Sequence, residues 1–378
     1  MDSVKVTSVL ADAIVSGLID GTLERFGGVI RDTTTQQVVT WLRELEETPI
    51  NLSKTEAILQ LGSTASVLNL GISVMGFAVI SKKLEKIEQN LKETQELLNK
   101  INRKIDLGYY ANFRAALELA VNAFTMNKPE NRRSSALQAI NRFLEAEQHY
   151  LASVDEELEK NSQIINEYLL TLSLAYIAEV RCYLELGEFD TARRRFQECS
   201  KILRSRIQKY IEMLLTPNPA VYLHPQFKGK IDLSRLTRIY RWIDKTLDEN
   251  AVFEMQRDNL FSLMQDENKW LNAIPPVIGN LPINWGFKLP WNSSKSDIYA
   301  RLPQAMEIME SLIESDRRFE AYQLEVQAID RLGISFNQWL QISPETETIP
   351  DGAKFMYITP QEPLEVEWEM GRWGDGGE

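Results

Sequence analysis

The chain has 378 residues, of which 44% are hydrophobic and 25% are charged, the balance of an ordinary folded protein. Its formal net charge of −12 argues against a general affinity for nucleic acid or for anionic lipid. The two cysteines indicate a reducing compartment. Asp2 and Asp12 lie where a secretory signal would be positively charged or apolar, so we expect a cytoplasmic protein without a signal peptide, with membrane association left open.

The first 126 residues are predicted to form an N-terminal helical region. Residues 3–26 carry apolar side chains at helical spacing, and Gly27 and Gly28 end that segment. Residues 35–47 predict a second helix that stops before Pro49. Strand signals with a period of two are scarce before residue 354. These patterns favour an all-α protein.

Residues 57–81 form an uncharged segment between Glu56 and Lys82. As one helix it would be roughly 37 Å long, and about 20 apolar residues suffice to cross a bilayer core of ~30 Å. Small and polar residues recur on one face of this helix, which would allow another helix to approach closely. The segment is therefore a core helix, a conditionally inserting segment or a permanent membrane span. The candidate residues for membrane insertion or helix packing are Gly62, Ser66, Asn69, Ser73, Gly76, Phe77 and Val79.

A coiled-coil pattern follows the uncharged segment. Apolar residues repeat in alternating steps of three and four, with mixed charges between them. The partner of this seam could be another chain or another helix of this chain. The seam residues are Leu84, Ile87, Leu91, Leu98, Ile101 and Ile105.

The region 127–341 is predicted as a helical hairpin and bundle. A break near Gly108 precedes a helix over residues 109–126, and Pro129 suits the first turn of the next helix. The whole chain is expected to be an elongated bundle of long helices. Further helices are predicted over 162–186, 188–215, 232–247, 250–268 and 296–341.

The pair of helices over 162–215 is similar to a tetratricopeptide hairpin. Gly187 is followed by Phe189, Ala192 and Phe196 at the spacing of the second helix of that repeat. Only one unit matches, and a stable stack needs about three. A simple helical hairpin or bundle is therefore favoured over a repeat array with a peptide-binding groove.

Two further features of this hairpin bear on function. Cys182 and Cys199 are offset by about 8 Å along the paired helices, too far for a disulfide, and are predicted to be buried thiols. A basic cluster on the second helix is expected to be a solvated face that contacts acidic segments of the chain, rather than a phosphate site. Its members are Arg193, Arg194, Arg195, Lys201, Arg204, Arg206 and Lys209.

Sequence motifs for catalysis are missing. His149 and His224 have no partner at metal-ligand spacing, and the chain lacks a phosphate-binding glycine loop, a dinucleotide fingerprint, a nucleophile elbow and a zinc motif. We therefore predict a protein that is not an enzyme and that uses no cofactor and no metal.

Two segments outside the long helices complete the organisation. Residues 270–292 hold four prolines, so they cannot form a regular helix, and their aromatic side chains suit either a clasp across the helices or a membrane interface. Those aromatics are Trp270, Trp285, Phe287 and Trp291. Residues 342–378 are predicted to be an extended acidic tail, in which Leu364, Val366 and Trp368 alternate with glutamates.

A hydrophobic segment flanked by long amphipathic helices resembles the architecture of α-helical pore-forming toxins of the cytolysin A and haemolysin BL type. The resemblance covers residues 1–215 and implies a toxin or defence effector whose soluble form hides residues 57–81 and whose membrane form exposes them. The primary expectation is thus a non-enzymatic protein that conditionally inserts a segment into the bilayer. The alternative is a cytoplasmic scaffold or adaptor that binds protein partners through its coiled coil and its tetratricopeptide-like hairpin, with self-association through helices also expected.

Overall fold

The computed structural model describes residues 4–45, 58–60, 68–98, 107–162, 164–265, 267–279, 281, 295–344 and 354–361. The molecule is mostly helical, as predicted, but it also contains a five-stranded antiparallel sheet. The all-α prediction therefore holds for the bulk of the described chain and is wrong for its N-terminal part.

The sheet joins the two ends of the described chain. Its strands are β1 (Val4–Thr7), β2 (Leu23–Phe26), β3 (Val29–Asp32), β4 (Val38–Glu44) and β5 (Phe355–Pro360), in the spatial order β1-β5-β4-β3-β2. Val4 pairs with Pro360, and Trp41 pairs with Ile358. Part of the predicted tail is thus an internal strand, flanked on both sides. Leu364, Val366 and Trp368 lie outside the described residues.

Both faces of the sheet are buried, which explains why its sequence does not alternate in polarity. Trp41 and Ile358 belong to the main core. Leu42 and Tyr357 belong to a smaller cluster, which also holds Ile14 of helix α1 (Asp12–Asp20).

The predicted N-terminal helices are corrected by this sheet. Within the described residues 4–26, only α1 is helical, and most of the described part of 35–47 forms strand β4. The expectation was wrong because a strand buried on both faces reads as an apolar run, which periodicity alone does not distinguish from a buried helix.

The turn between β2 and β3 fits tightly against the rest of the fold. Gly27 has φ +56°, a left-handed conformation that favours glycine. A Cβ on Gly28 would collide with the carbonyl oxygen of Leu70, and one on Gly27 would collide with the backbone of Arg317. The glycine pair therefore allows two distant chain segments to touch the hairpin.

Between β4 and β5 the described chain is mainly α-helical, and several helices begin and end close to the predicted positions. Their bounds are α2 (Phe77–Leu98), α3 (Gly108–Thr125), α4 (Pro129–Glu159), α5 (Ile165–Glu185), α6 (Phe189–Leu214), α7 (Leu233–Ile243), α8 (Glu249–Met264), α9 (Glu267–Asn272), α10 (Pro276–Gly279), α11 (Lys295–Arg331) and α12 (Phe336–Leu340).

These helices form a bundle around α5, most of whose residues are buried. Helix α4 packs against α3 and α5, while α6 packs against α5 and α11. The predicted hairpin of α5 and α6 is present, and Gly187 at its turn has φ +75°. Because each arm also packs on helices outside the hairpin, the described residues support the bundle interpretation and give no support to a tetratricopeptide array.

The uncharged segment is not one continuous helix. Within its described part, a single 3-10 turn covers Ile72–Val74, and α2 begins only at Phe77. Leu68, Leu70 and Met75 are buried in the core. The predicted helix over 57–81 is therefore wrong for residues 68–76. In the described residues, no helix is both long and apolar enough to span a bilayer.

Candidate functional site

Side chains from distant elements hold the backbone of residues 68–73. Arg318 donates to the carbonyl oxygen of Leu68, and Tyr322 donates to that of Asn69. Both donors lie on α11. On its own, a non-helical backbone in a core would leave polar groups without partners. The fold meets this need with side chains of α11.

Two carboxylates and one further arginine complete this arrangement. The amide N–H of Leu70 donates to Glu44 (2.8 Å), and that of Ile72 donates to Glu325 (2.8 Å). Arg181 of α5 donates to the carbonyl oxygens of Ile72 (3.2 Å) and Ser73 (3.1 Å). We call the five side chains that hold this backbone the backbone clamp. Its members are Glu44, Arg181, Arg318, Tyr322 and Glu325.

Neighbouring charges balance those of the clamp. Glu314 accepts hydrogen bonds from Arg25 (2.6 Å) and from Arg318 (2.9 Å). Burial alone would raise the pKa of the Glu314 carboxyl, but these two arginines outweigh burial and lower the pKa to about 2. Burial raises the pKa of Glu44, against the opposing charge of Arg318.

The other end of the clamp is anchored by a tryptophan. The indole N–H of Trp339 donates to Glu325 (2.7 Å), and the carbonyl oxygen of Trp339 accepts from Arg43 (3.2 Å). Trp339 is fully buried and packs edge-to-face on Trp41, with ring centroids 6.3 Å apart. Strand β4, helix α12 and the clamp thus form one connected polar and aromatic unit.

The predicted packing residues of the uncharged segment do not form the expected helix face. Asn69 lies on the irregular backbone before the 3-10 turn and Ser73 lies within that turn, and the clamp holds both stretches. Gly76 has open space where a Cβ would be. Phe77 is buried and stacks on Phe124, and Val79 is half-buried against the core. The small-residue stripe is therefore wrong for the described positions, while Gly62 and Ser66 lie outside the described residues.

The described part of the coiled-coil seam faces the chain's own core. Leu84, Ile87 and Leu91 are buried, and α2 packs against α3 and α5. The Leu98 side chain, Ile101 and Ile105 lie outside the described residues. The coiled coil itself therefore stays a prediction, with an intramolecular partner for its first half.

Among the candidate interfacial aromatics, the structure describes Trp270. Its half-buried ring packs edge-to-face on His224, with centroids 5.1 Å apart. Trp285, Phe287 and Trp291 lie outside the described residues. The Trp270 contact favours the clasp over the membrane interface at this one position.

A second buried centre lies where α4, α5 and α6 meet. Arg195 donates to both carboxylate oxygens of Glu179 (2.8 and 3.0 Å) and to Oε2 of Glu147 (2.7 Å). One donor atom each of Glu147, Glu179 and Cys199 falls within 4.8 Å of the others. Burial, and then the charge of Glu179, raises the pKa of Glu147 to about 10, so this carboxyl carries a proton at neutral pH.

The basic cluster on α6 contacts acidic residues, as expected. Arg204 binds Asp316 (2.6 Å), and Arg206 binds Asp155 (3.0 Å). These ion pairs fasten α6 to α11 and α4. Together with the Arg195 contacts, they show that much of the cluster serves internal pairing.

An open, mostly apolar cavity of about 530 Å³ lies between the C-terminal end of α6 and helices α7 to α10. Its volume lies in the range of ligand pockets. Its charged lining residue is Glu212, and most of the rest is apolar. Further lining residues are Met213, Leu215, Tyr240, Ile243, Met255 and Ile274.

Helix α8 carries an exposed apolar stripe on the side opposite Met255. Phe253, Phe261 and Met264 expose 53%, 74% and 70% of their surface. They lie within about 80° of one another around the helix axis, at ~100° per residue, and extend over roughly 17 Å. We call these three residues the α8 stripe. Large apolar side chains concentrated on one solvent-facing helix side indicate an interaction surface.

Apart from Arg195, the charged residues of both buried centres were missed in the sequence. Arg181 and Glu179 stand within the apolar run of α5, and charges inside a buried apolar helix are expected to be paired. That signal predicts that each of these charges has a buried partner, but it does not predict which residue the partner is. Arg181 binds backbone up to 109 residues away, and Glu325 binds an amide 253 residues away, so only the folded chain reveals these contacts.

Comparison with known proteins gives no relative for this chain. No protein-family model, no curated protein and no solved structure matches it. Functional proposals for the chain therefore rest on its own geometry.

Proposed function

We propose that this protein is a non-enzymatic helical scaffold that binds the apolar face of a partner protein's helix on α8. The single observation that supports the proposal is the α8 stripe, whose three large side chains are mostly exposed. A stripe of about three turns matches the length over which one amphipathic helix docks on another. The partner surface is apolar because the stripe offers mainly hydrocarbon and ring surface.

The positive charge of Arg257 on the stripe indicates which charge the partner helix carries beside its apolar face. Arg257 lies four residues from both Phe253 and Phe261, so it stands on the same helix side between them. Its guanidinium binds the exposed carboxylate of Asp258 (3.0 Å), a surface pair of small energetic value. A partner helix with an acidic residue beside its apolar face could therefore replace Asp258 as the ion-pair partner of Arg257. We expect such a helix as the occupant of the stripe.

The first experiment uses a photo-crosslinking phenylalanine analogue at position 261 of the full chain, in extract of its source organism. A matched control places the same analogue at Ile19 of α1, which is equally exposed at 72%. We expect one discrete protein adduct from position 261 that disappears with Phe253→Asp. Equal adducts from both positions, or none from position 261, would contradict the proposal. An adduct of twice the chain's mass would instead identify a second copy as the occupant.

The second experiment tests the chemistry of the crosslinked segment. A synthetic peptide of that segment should form an amphipathic helix and bind the purified chain. Phe253→Asp and Arg257→Glu should each weaken its binding at least about tenfold, whereas Ile19→Asp should leave it unchanged. A segment without an apolar helical face, or binding that survives both variants, would refute the assigned partner.

Conditional membrane insertion is the second candidate function. It is supported by the charge-free sequence of residues 57–81. The backbone clamp opposes it, since release of residues 68–73 would leave Arg181, Arg318 and Glu325 buried without these partners. We therefore place it second to the scaffold function.

Val79→Lys separates the two functions when thermal melting is paired with dye leakage from liposomes. In the scaffold, the lysine disturbs the half-buried side of α2 and lowers the melting temperature, and the parent protein causes no leakage. In an inserting protein, the parent leaks dye, and the lysine reduces leakage while melting stays nearly unchanged. Leakage by the parent would favour insertion over the scaffold.

A further inference from the structure

We propose that the cavity between the C-terminal end of α6 and helices α7 to α10 binds one uncharged, mainly hydrocarbon molecule that carries a neutral acceptor oxygen, such as a ketone. The cavity has a volume of about 530 Å³, which lies in the range of small-molecule sites. Met255 of α8 lines it, whereas the α8 stripe lies on the opposite side of that helix. The proposal therefore goes beyond the scaffold function and does not depend on it.

Apolar side chains from several separate elements form most of the cavity wall. Met213 comes from α6, Ile243 from α7, Met255 from α8, and Ile274 from the connection between α9 and α10. Methionine side chains are flexible and polarizable, so they adapt to both aromatic and aliphatic ligands. Burial of hydrocarbon against such a wall is the main source of affinity for an apolar molecule.

An unused hydroxyl gives the cavity one specific polar contact. Tyr240 lines the cavity and is only 7% exposed. Within the described residues its hydroxyl forms no hydrogen bond, although a buried tyrosine hydroxyl usually has a partner. Burial raises the pKa of Tyr240, so the hydroxyl stays protonated and is available as a donor. An oxygen of a bound ligand would supply the missing acceptor.

The other polar side chains of the lining have partners or face the solvent. The Thr216 amide donates to the Tyr222 hydroxyl (3.3 Å), and the Thr216 hydroxyl donates to a backbone carbonyl oxygen (3.1 Å). Glu212 and Asn272 are exposed. Tyr240 thus differs from these residues as a mostly buried polar side chain of the lining whose hydroxyl is still available to a ligand.

The charge of the lining favours an uncharged ligand. Glu212 is the charged residue among the described lining, and the chain as a whole has a net charge of −12. Both would repel an anion such as a fatty-acid carboxylate. Because Glu212 is exposed and already accepts a hydrogen bond from Gln208 (2.9 Å), it adds little affinity for a cation. An uncharged molecule with an acceptor oxygen therefore fits this cavity best.

The experiment titrates the full chain with prodan, an uncharged naphthalene that carries one ketone and whose fluorescence shifts to the blue in apolar surroundings. We expect one molecule bound per chain, and the melting temperature should rise with prodan concentration because the ligand binds the folded state. Dimethylaminonaphthoate has the same ring system with a carboxylate in place of the ketone. It should bind at least about tenfold more weakly, because its charge would lose solvation in the cavity. Equal binding of the two probes would contradict the assigned ligand class.

Three variants locate the bound probe. Tyr240→Phe keeps the ring and removes only the donor, so it should weaken prodan binding about three- to tenfold, the value of one neutral hydrogen bond. Ala273→Trp places a large ring at a half-buried position of the lining and should abolish binding. Phe261→Asp is the matched control, because it removes apolar surface on the opposite side of α8, and it should leave binding unchanged.

Circular dichroism verifies the fold of each variant, and Tyr240→Phe decides alone if Ala273→Trp does not fold. Absence of saturable prodan binding to the parent chain would overturn the proposal. Binding that survives a folded Ala273→Trp variant would overturn it as well, because the probe would then lie elsewhere. Binding that is lost with Phe261→Asp would place the probe on the α8 stripe, which contradicts the cavity proposal and leaves the scaffold function intact. Unchanged binding by Tyr240→Phe would refute the need for an acceptor oxygen.

Discussion

Arg318 and Glu325 of the backbone clamp each form hydrogen bonds both with another side chain and with a backbone group. Arg318 donates to Glu314 at 2.9 Å and also to the carbonyl oxygen of Leu68. Glu325 likewise accepts from both the Ile72 amide and the Trp339 indole. Each charged group thus contacts another side chain and a piece of irregular backbone. Sequence alone could not predict these roles, because they depend on contacts between remote segments.

Replacement of Arg318 by methionine should strongly destabilise the protein. It removes one partner of Glu314 and the donor to the Leu68 carbonyl while keeping most of the side-chain volume. Breaking a buried ion pair costs about 3–5 kcal/mol. Urea unfolding measures the loss. Arg194→Met, at an exposed pair with Glu198, is the control and should change stability by less than about 1 kcal/mol.

Glu314 should also shape stability in acid. Its pKa is lowered from 4.5 in the unfolded chain to about 2 in the fold, so it stabilises the folded state fully above pH 4.5. This contribution is lost as the pH falls towards about 2, and it amounts to roughly 3 kcal/mol. Glu314→Gln should flatten the pH dependence of the free energy of unfolding in that window. Exposed Glu145→Gln serves as the control, and an equal effect of both variants would refute the role of Glu314.

Among the secondary-structure elements, the sequence predicted the long helices well. Helices α3 to α6 follow the predicted spans within a few residues, because periodic apolar positions, Pro129 and Gly187 mark them. The N-terminal strands were missed because their burial on both faces hides the period of two. Of the candidate site, the ion pairing of the α6 arginines was predicted. The clamp and the cluster around Cys199 were not, since each joins three or more elements.

Two glycines that look alike in sequence should respond differently to substitution. Gly28→Ala places a Cβ against the carbonyl oxygen of Leu70, in the backbone that the clamp holds. This substitution should lower the free energy of unfolding by at least about 2 kcal/mol. Gly76→Ala meets open space at the start of α2 and should change stability by less than about 1 kcal/mol. Thermal melting compares the two variants. Comparable losses would mean that the close approach of Leu70 to the hairpin is wrong.

For the whole molecule, β5 links the two ends of the described chain. It pairs with β1 on one side and with β4 on the other, and Thr40 donates to the Ile358 carbonyl at 3.0 Å. Without β5, strands β1 and β4 would both lose these backbone partners. The sheet is therefore complete only with residues from both regions.

Truncation should reveal this dependence on β5. A chain ending at residue 354 lacks this internal strand, and we expect it to lose cooperative unfolding. A chain ending at residue 361 keeps the whole described strand and should retain cooperative unfolding. Calorimetry distinguishes them. Cooperative melting of the shorter chain near the full chain's temperature would show that β5 is dispensable.

The position of β5 also affects how the protein is made. Strand β4 ends at Glu44 and β5 begins at Phe355, so the ribosome adds about 310 residues between them. At ~5–20 residues per second, this interval lasts roughly 15–60 s. Throughout it, β1 and β4 have left the ribosome with backbone edges that can pair with other chains. Newly made chains should therefore need protection from association, for example by a chaperone, until the last strand emerges.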